Sequence, residues 1–200
     1  FNPNNMEKPP TSNGLSTNNL IILGICTFVL ITSLSIIVDS SSSVYKTAPM
    51  FFITNTKAII NLENTTLTYG SNILLSIKGT NEWGNSGSNG GNLELNATNQ
   101  KLSGDIILDS LSSVDINLKS STLTSTVNNN KKAKEVNISI DKNSKWNVEE
   151  NSYINTLKLI NNDLNLIKDN GHNVYYDKEA NEWLDGKTYT LQDGGKLIPR

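Results

Sequence analysis

The chain has a single cysteine, Cys26, a single histidine, His172, and a single arginine, Arg200. Each scarcity closes off some chemistry. A lone cysteine forms no internal disulfide, and one His with one Cys cannot supply a zinc site of the usual ligand types. A Ser-His-Asp or Cys-His relay has only His172 to draw on. That residue sits in Gly171-His172-Asn173, where an ordinary turn histidine is expected. Charge of one sign is also missing. Lys and Arg total 17 against 19 Asp and Glu, giving a net charge of −2, and Lys131, Lys132 and Lys134 form the one basic cluster. Nucleic-acid binding needs a basic face with several phosphate contacts, so nucleic acid is not an expected partner. No stretch carries the 3.6-residue period of a good amphipathic helix.

What is present is a returning alternation. Ile60 and Leu62 are followed by Leu93 and Leu95, then Ile116 and Leu118, Ile138 and Ile140, and Leu157 and Leu159. Apart from one long gap these pairs recur at about 22 residues, a period expected of a solenoid. A solenoid rung cannot bury its apolar side alone and stacks on its neighbours. Asn is the most frequent residue and, with Ser, Gly and Asp, cuts the apolar strings into short pieces. Asn tolerates left-handed backbone at tight turns, and stacked Asn side chains form hydrogen-bonded ladders. The run GTNEWGNSGSNGG, 79–91, is a glycine-rich loop that accounts for the long gap. Strands are expected within 59–77, broken at Asn64 and at Gly70-Ser71-Asn72. Further strands are expected at 93–95, 105–108, 114–118, 136–140, 146–148, 154–159 and 164–166. Strands this short, joined in sequence at a fixed interval, predict an all-β parallel β-helix, a solenoid, rather than a sandwich.

The flanks differ from the repeats. Residues 1–19 carry Pro3, Pro9, Pro10 and many Asn, and are expected to be unstructured. Leu20 to Val38 is uncharged, and its length and hydropathy suit a transmembrane helix or signal segment. Its Ile, Val and Thr content and its alternation suit buried strands equally. Rungs are expected over 39–170. Residues 171–200 read as a C-terminal cap of hairpins, with Val174–Tyr176 and 187–191 flanking Asp185-Gly186, because an open solenoid end is an exposed edge. The chain opens on Phe1 and reads as the C-terminal piece of a longer solenoid, whose upstream rungs would be a partner in stacking.

The strings NLELNATNQKLSGDIILDSLSS (92–113) and SKWNVEENSYINTLKL (144–159), followed by Gly171-His172-Asn173-Val174-Tyr175-Tyr176, resemble the C-terminal rungs of large bacterial adhesin-like proteins. They also look like autotransporter passenger regions with a right-handed parallel β-helix. The resemblance covers roughly 48–200. It implies secretion or cell-surface display and a non-catalytic scaffold engaging host or environmental glycans or surface proteins. It carries over no catalytic residue. Leu20 to Val38 departs from the pattern by being more apolar than such rungs.

Candidate chemistry is sparse. Sugars bind by stacking on aromatic rings, and Trp83, Trp183 and Tyr69 are the candidates for an exposed platform, with Trp146 expected inside. Asp105, Asp109 and Asp115 could meet at strand ends of neighbouring rungs. There they would serve calcium, which favours several oxygen ligands, or a pair of hydrolytic carboxylates. Their ordinary reading is as turn residues. No other cofactor is indicated. The alternatives to a scaffold are a carbohydrate-binding β-helix, with or without calcium, and the tail of a polysaccharide-degrading enzyme whose active site lies outside these residues. A lyase of this architecture would need an arginine base, and Arg200 is the last residue.

Overall fold

A computed structural model describes residues 20–22, 26–32 and 35–200, with side chains from residue 35 onward. The expected unstructured segment 1–19 lies outside the described residues. The chain begins with β1 (Leu20–Ile22), β2 (Cys26–Thr32), β3 (Ser35–Ile37), β4 (Phe51–Ile53), β5 (Lys57–Glu63), β6 (Thr66–Thr68) and β7 (Ile73–Ile77). It continues with β8 (Asn92–Thr98), β9 (Lys101–Ser103), β10 (Asp105–Leu108), β11 (Ser113–Lys119), β12 (Thr122–Ser125), β13 (Glu135–Ile140) and β14 (Lys145–Val148). The last strands are β15 (Ser152–Tyr153), β16 (Thr156–Leu159), β17 (Ile167–Lys168), β18 (Val174–Tyr176), β19 (Tyr189–Thr190) and β20 (Lys196–Pro199). They wind into a parallel β-solenoid of about seven turns.

Three faces result. The first is one six-stranded parallel sheet in the order β16-β13-β11-β8-β5-β2. The second holds β3-β6 and then β17-β14-β12-β9. The third holds β1-β4-β7-β10, one bridge between Ile106 and Val127, and then β15-β18-β20. On the first face the period of two puts alternate residues inside. Ile60, Leu95, Ile116, Ile138 and Leu157 stand in one internal column, and Leu62, Ala97, Leu118, Ile140 and Leu159 in the next. Each fully buried Ile or Leu contributes about 1.5–3 kcal/mol of transfer free energy, available only because the next rung covers it. Leu102, Leu123, Trp146 and Ile167 form the matching column of the second face.

Several expectations are corrected. Leu95, not Leu93, lies opposite Ile60, so the second pair of the series is Leu95 and Ala97. The small Ala97 hides the third inward position of β8, and loop 79–91 absorbs the offset. Leu164–Leu166, expected as a strand, is a 3-10 turn, because Asn161 and Asn162 at positive φ break the extension before it. Val174–Tyr176 is not a hairpin arm. It pairs parallel with β15 and β20 as a rung strand, and among the described residues antiparallel pairing occurs only between β19 and β20. In the apolar stretch 20–38 the described pieces β1, β2 and β3 pair parallel with β4, β5 and β6. Among the described residues no helix is long and apolar enough to cross a membrane.

Candidate functional site

The first face spends its outer polar groups on itself. Asn117 Nδ2 donates to Asn96 Oδ1 and Asn96 Nδ2 to Asn61 Oδ1, each at 2.9 Å. Beside this amide ladder Asn137 Nδ2 donates to Asp115 Oδ1 at 2.8 Å and to Glu135 at 2.9 Å. Asp115 is therefore a ladder rung on an exposed strand position. Asp109 lies at a corner. Its Oδ1 accepts from Leu111 N (3.1 Å) and Ser112 Oγ (2.6 Å), and its Oδ2 from Gly79 N (2.8 Å) of the rung before. Asp141 repeats the arrangement with Ser144 Oγ (2.6 Å), Asn143 N (3.1 Å) and Ser120 N (3.1 Å). Burial pulls the Asp141 carboxyl upward, but the bonds from Ser144, Ser120 and Asn143 and the charge of Lys119 outweigh it and hold the group below the ordinary value. An Asp-x-x-Ser signature at 109–112 and 141–144 was visible in the sequence and marks these stitches.

The three aromatic candidates are not brought together. Tyr69 packs at the corner before β7, where its hydroxyl donates to the Ser103 carbonyl. Burial, helped by nearby Asp105, pushes its pKa up to about 12. Gly104 makes room for it: at φ 115° a Cβ there would come within 2.8 Å of the Tyr69 hydroxyl. Trp83 lies beyond the other end of β7, in loop 79–91, and is 39% exposed. The loop around it is tied by Asn89, which is buried and whose Nδ2 donates to the Trp83 carbonyl at 2.6 Å. Trp183 belongs to the cap. Its Nε1 donates to Leu157 O at 3.0 Å, while Asn181 Oδ1 accepts from Leu157 N at 2.7 Å. Two side chains thus stand in for the strand that β16 lacks on its open edge. Trp146 is fully buried and donates to Ser125 O at 3.2 Å.

An aromatic pair that the sequence reading passed over stands on the third face. Tyr153 and Tyr175 occupy matched positions of β15 and β18 with ring centroids 4.6 Å apart and planes 5° from parallel. Lys131 Nζ lies 4.5 Å from the Tyr153 centroid. The facing rings cover one another and Lys131 lies over the Tyr153 ring, so this stack ties neighbouring rungs together. Its signal was the 22-residue spacing of the two tyrosines.

Next to it the third face is interrupted. Between β10 and β15 the chain passes as Thr126–Asn130, bridged to β10 at Ile106–Val127 and bonded to β15 by Tyr153 N–H donating to Val127 O at 3.0 Å, and a groove of about 430 Å³ lies along it. Asp105 lines one side and Glu149 and Glu150 the other, with Ile107, Thr126 and Asn129 between. Asp105 is thus separated from Asp109 by β10 and from Asp115 by the change of sheet, and meets two glutamates instead. Among the described residues no three His, Cys, Asp or Glu side chains are grouped to hold a metal ion. His172 is half-buried in its turn, its backbone N–H bonded to Asp169 O at 2.8 Å.

No protein-family model, curated protein or solved structure matches the chain. Its chemistry is therefore read from the geometry: a first face and corners whose Asn and Asp side chains bond within the protein, and one groove where Glu150 accepts from Asn129 Nδ2 at 3.0 Å while the Asp105 and Glu149 carboxylates and the Thr126 hydroxyl make no hydrogen bond among the described residues.

Proposed function

We propose that this chain is a non-catalytic interaction module, the β-helix of an adhesin-like protein displayed on a cell surface or secreted. It acts as a stalk and offers its sides to host or environmental ligands. The observation that carries the reading is the rung-to-rung pairing of outer side chains, Asn61 to Asn96 to Asn117 and Asn137 to Asp115, on a solenoid whose last edge is closed by Asn181 and Trp183. Such an arrangement favours a stiff rod over a hinged or lidded site. The test is adhesion of the purified chain, coated on beads, to host cells and extracellular matrix, together with limited proteolysis. Bead adhesion combined with a protease-resistant span over 51–200 supports the module. Beads that adhere no better than uncoated ones, or rapid cleavage inside the rungs, sink it.

A carbohydrate-binding reading has one observation in its favour, the 39% exposure of Trp83 in a loop beside the rungs. Tyr69 and Trp183 have their polar atoms committed to backbone carbonyls. Glycan-array binding abolished by Trp83→Ala would favour this second reading.

A further inference from the structure

We propose that the groove between β10 and β15 is a docking site for an extended, Lys- or Arg-bearing peptide segment of a protein partner. The inference rests on the interaction-module reading and names its ligand. Asp105, Glu149 and Glu150 line the groove with no basic side chain among its walls. Thr126 also lines it, is only 7% exposed, and its hydroxyl makes no hydrogen bond among the described residues. Its oxygen is not sealed in but opens to the groove, so it can bond a ligand there in place of water. Ile107, 38% exposed, supplies apolar contact on the same surface. The other depression of comparable size, where β13 and β16 meet the second face, mixes Lys119 and Lys158 with an Asp141 already bonded to its own corner, and has no such charge preference.

The dimensions suit a peptide. Asp105 and the two glutamates are two rungs apart, about 10 Å at the usual strand spacing. Residues i and i+2 of an extended peptide share one side about 7 Å apart, and long basic side chains close the difference. The nearest lysine in sequence, Lys131, is turned onto the Tyr153 ring and does not neutralise the groove. With a net charge of only −2, the chain as a whole attracts cations weakly, so selective binding must come from a local site.

The probe is a fluorescein-labelled octapeptide of alternating Lys and Thr, followed by anisotropy against the whole chain at low and high salt, with an acetyl-lysine version beside it. The expected result is salt-sensitive binding of the basic peptide and none of the acetylated one. Binding should weaken roughly tenfold in Asp105→Asn and in Glu149→Gln/Glu150→Gln. Glu94→Gln/Glu135→Gln, on the first face, should bind as the parent does. Absence of binding, equal binding by all variants, or binding of a neutral oligosaccharide lost in the groove variants would each overturn the proposal. None of these results touches the bead-adhesion assay, so the module reading stands or falls separately.

Discussion

Asparagine earns its abundance through backbone geometry at single positions. Asn55, Asn64, Asn72, Asn99, Asn128, Asn161, Asn162 and Asn170 all have φ near +50°, a region that other L-residues enter at about 1–2 kcal/mol. Asn64, Asn99 and Ser120 fill the same corner, directly after β5, β8 and β11. Asn99 is exposed and its side chain makes no hydrogen bond among the described residues, so conformation is its whole contribution. Asn99→Val should therefore lower unfolding free energy by about 1–2 kcal/mol, and Asn99→Gly should leave it nearly unchanged, as read by urea denaturation. Trp146 tests the interior. Trp146→Ala should cost about 3–5 kcal/mol from the cavity. Trp146→Phe should cost less, with Ser125 O left without its indole donor. Composition announced the asparagine turns, but not which corner each one serves, because a turn residue looks alike at every corner until the strands are in register.

Strands were legible in proportion to how many inward positions they carry. The first face, with three buried residues in β5, β8, β11 and β13, showed its alternation plainly. On the second face β9 has one buried residue, Leu102, between two exposed ones, and no periodicity can be read from a single residue. Leu164–Leu166 misled in the other direction, since apolar residues in a 3-10 turn carry the same spacing as a short strand. The groove was hidden for a different reason: Asp105, Thr126 and Glu149 lie on three successive rungs, so only the winding brings them together. The cap was expected as hairpins, yet its sealing of β16 is done by side chains. Leu157 N bonds to Asn181 Oδ1 and Leu157 O to Trp183 Nε1. Asn181→Leu or Trp183→Phe should accelerate hydrogen exchange at the Leu157 amide and its neighbours while the amides of β8 and β11 keep their protection. Uniform acceleration across all rungs would show that the cap acts on the whole fold rather than on this edge.

Because each rung touches only its neighbours, the stability of the whole molecule is a sum of interfaces, and its ends matter most. The C-terminal end closes on one carboxylate. Asp169 is fully buried, and its oxygens accept from the backbone N–H groups of Asp193 (2.9 Å), Gly195 (2.7 Å) and Gly171 (3.1 Å), pinning the β19–β20 hairpin to the last rung. Gly195 is required there, since a Cβ would lie 2.0 Å from His172 O. Burial alone would raise the Asp169 carboxyl, but the three N–H donors overcome it and the group sits below its ordinary value. In the unfolded chain an aspartate titrates near about 3.9. The charged form is thus favoured by folding, so the contribution is complete above roughly pH 4 and disappears as pH falls through the lower folded value. Asp141, also held low, adds to the same acid dependence at the middle of the solenoid. Asp169→Asn keeps the shape and removes the charge. Denaturant midpoints of the parent and this variant should differ most at neutral pH and draw together as the pH falls below the ordinary aspartate range, with Asp141 still supplying residual acid sensitivity to both. A gap that stays constant from neutral pH down to pH 2.5 would mean that the hairpin is held by its packing, and that the buried carboxylate does not close the end of the coil through its charge.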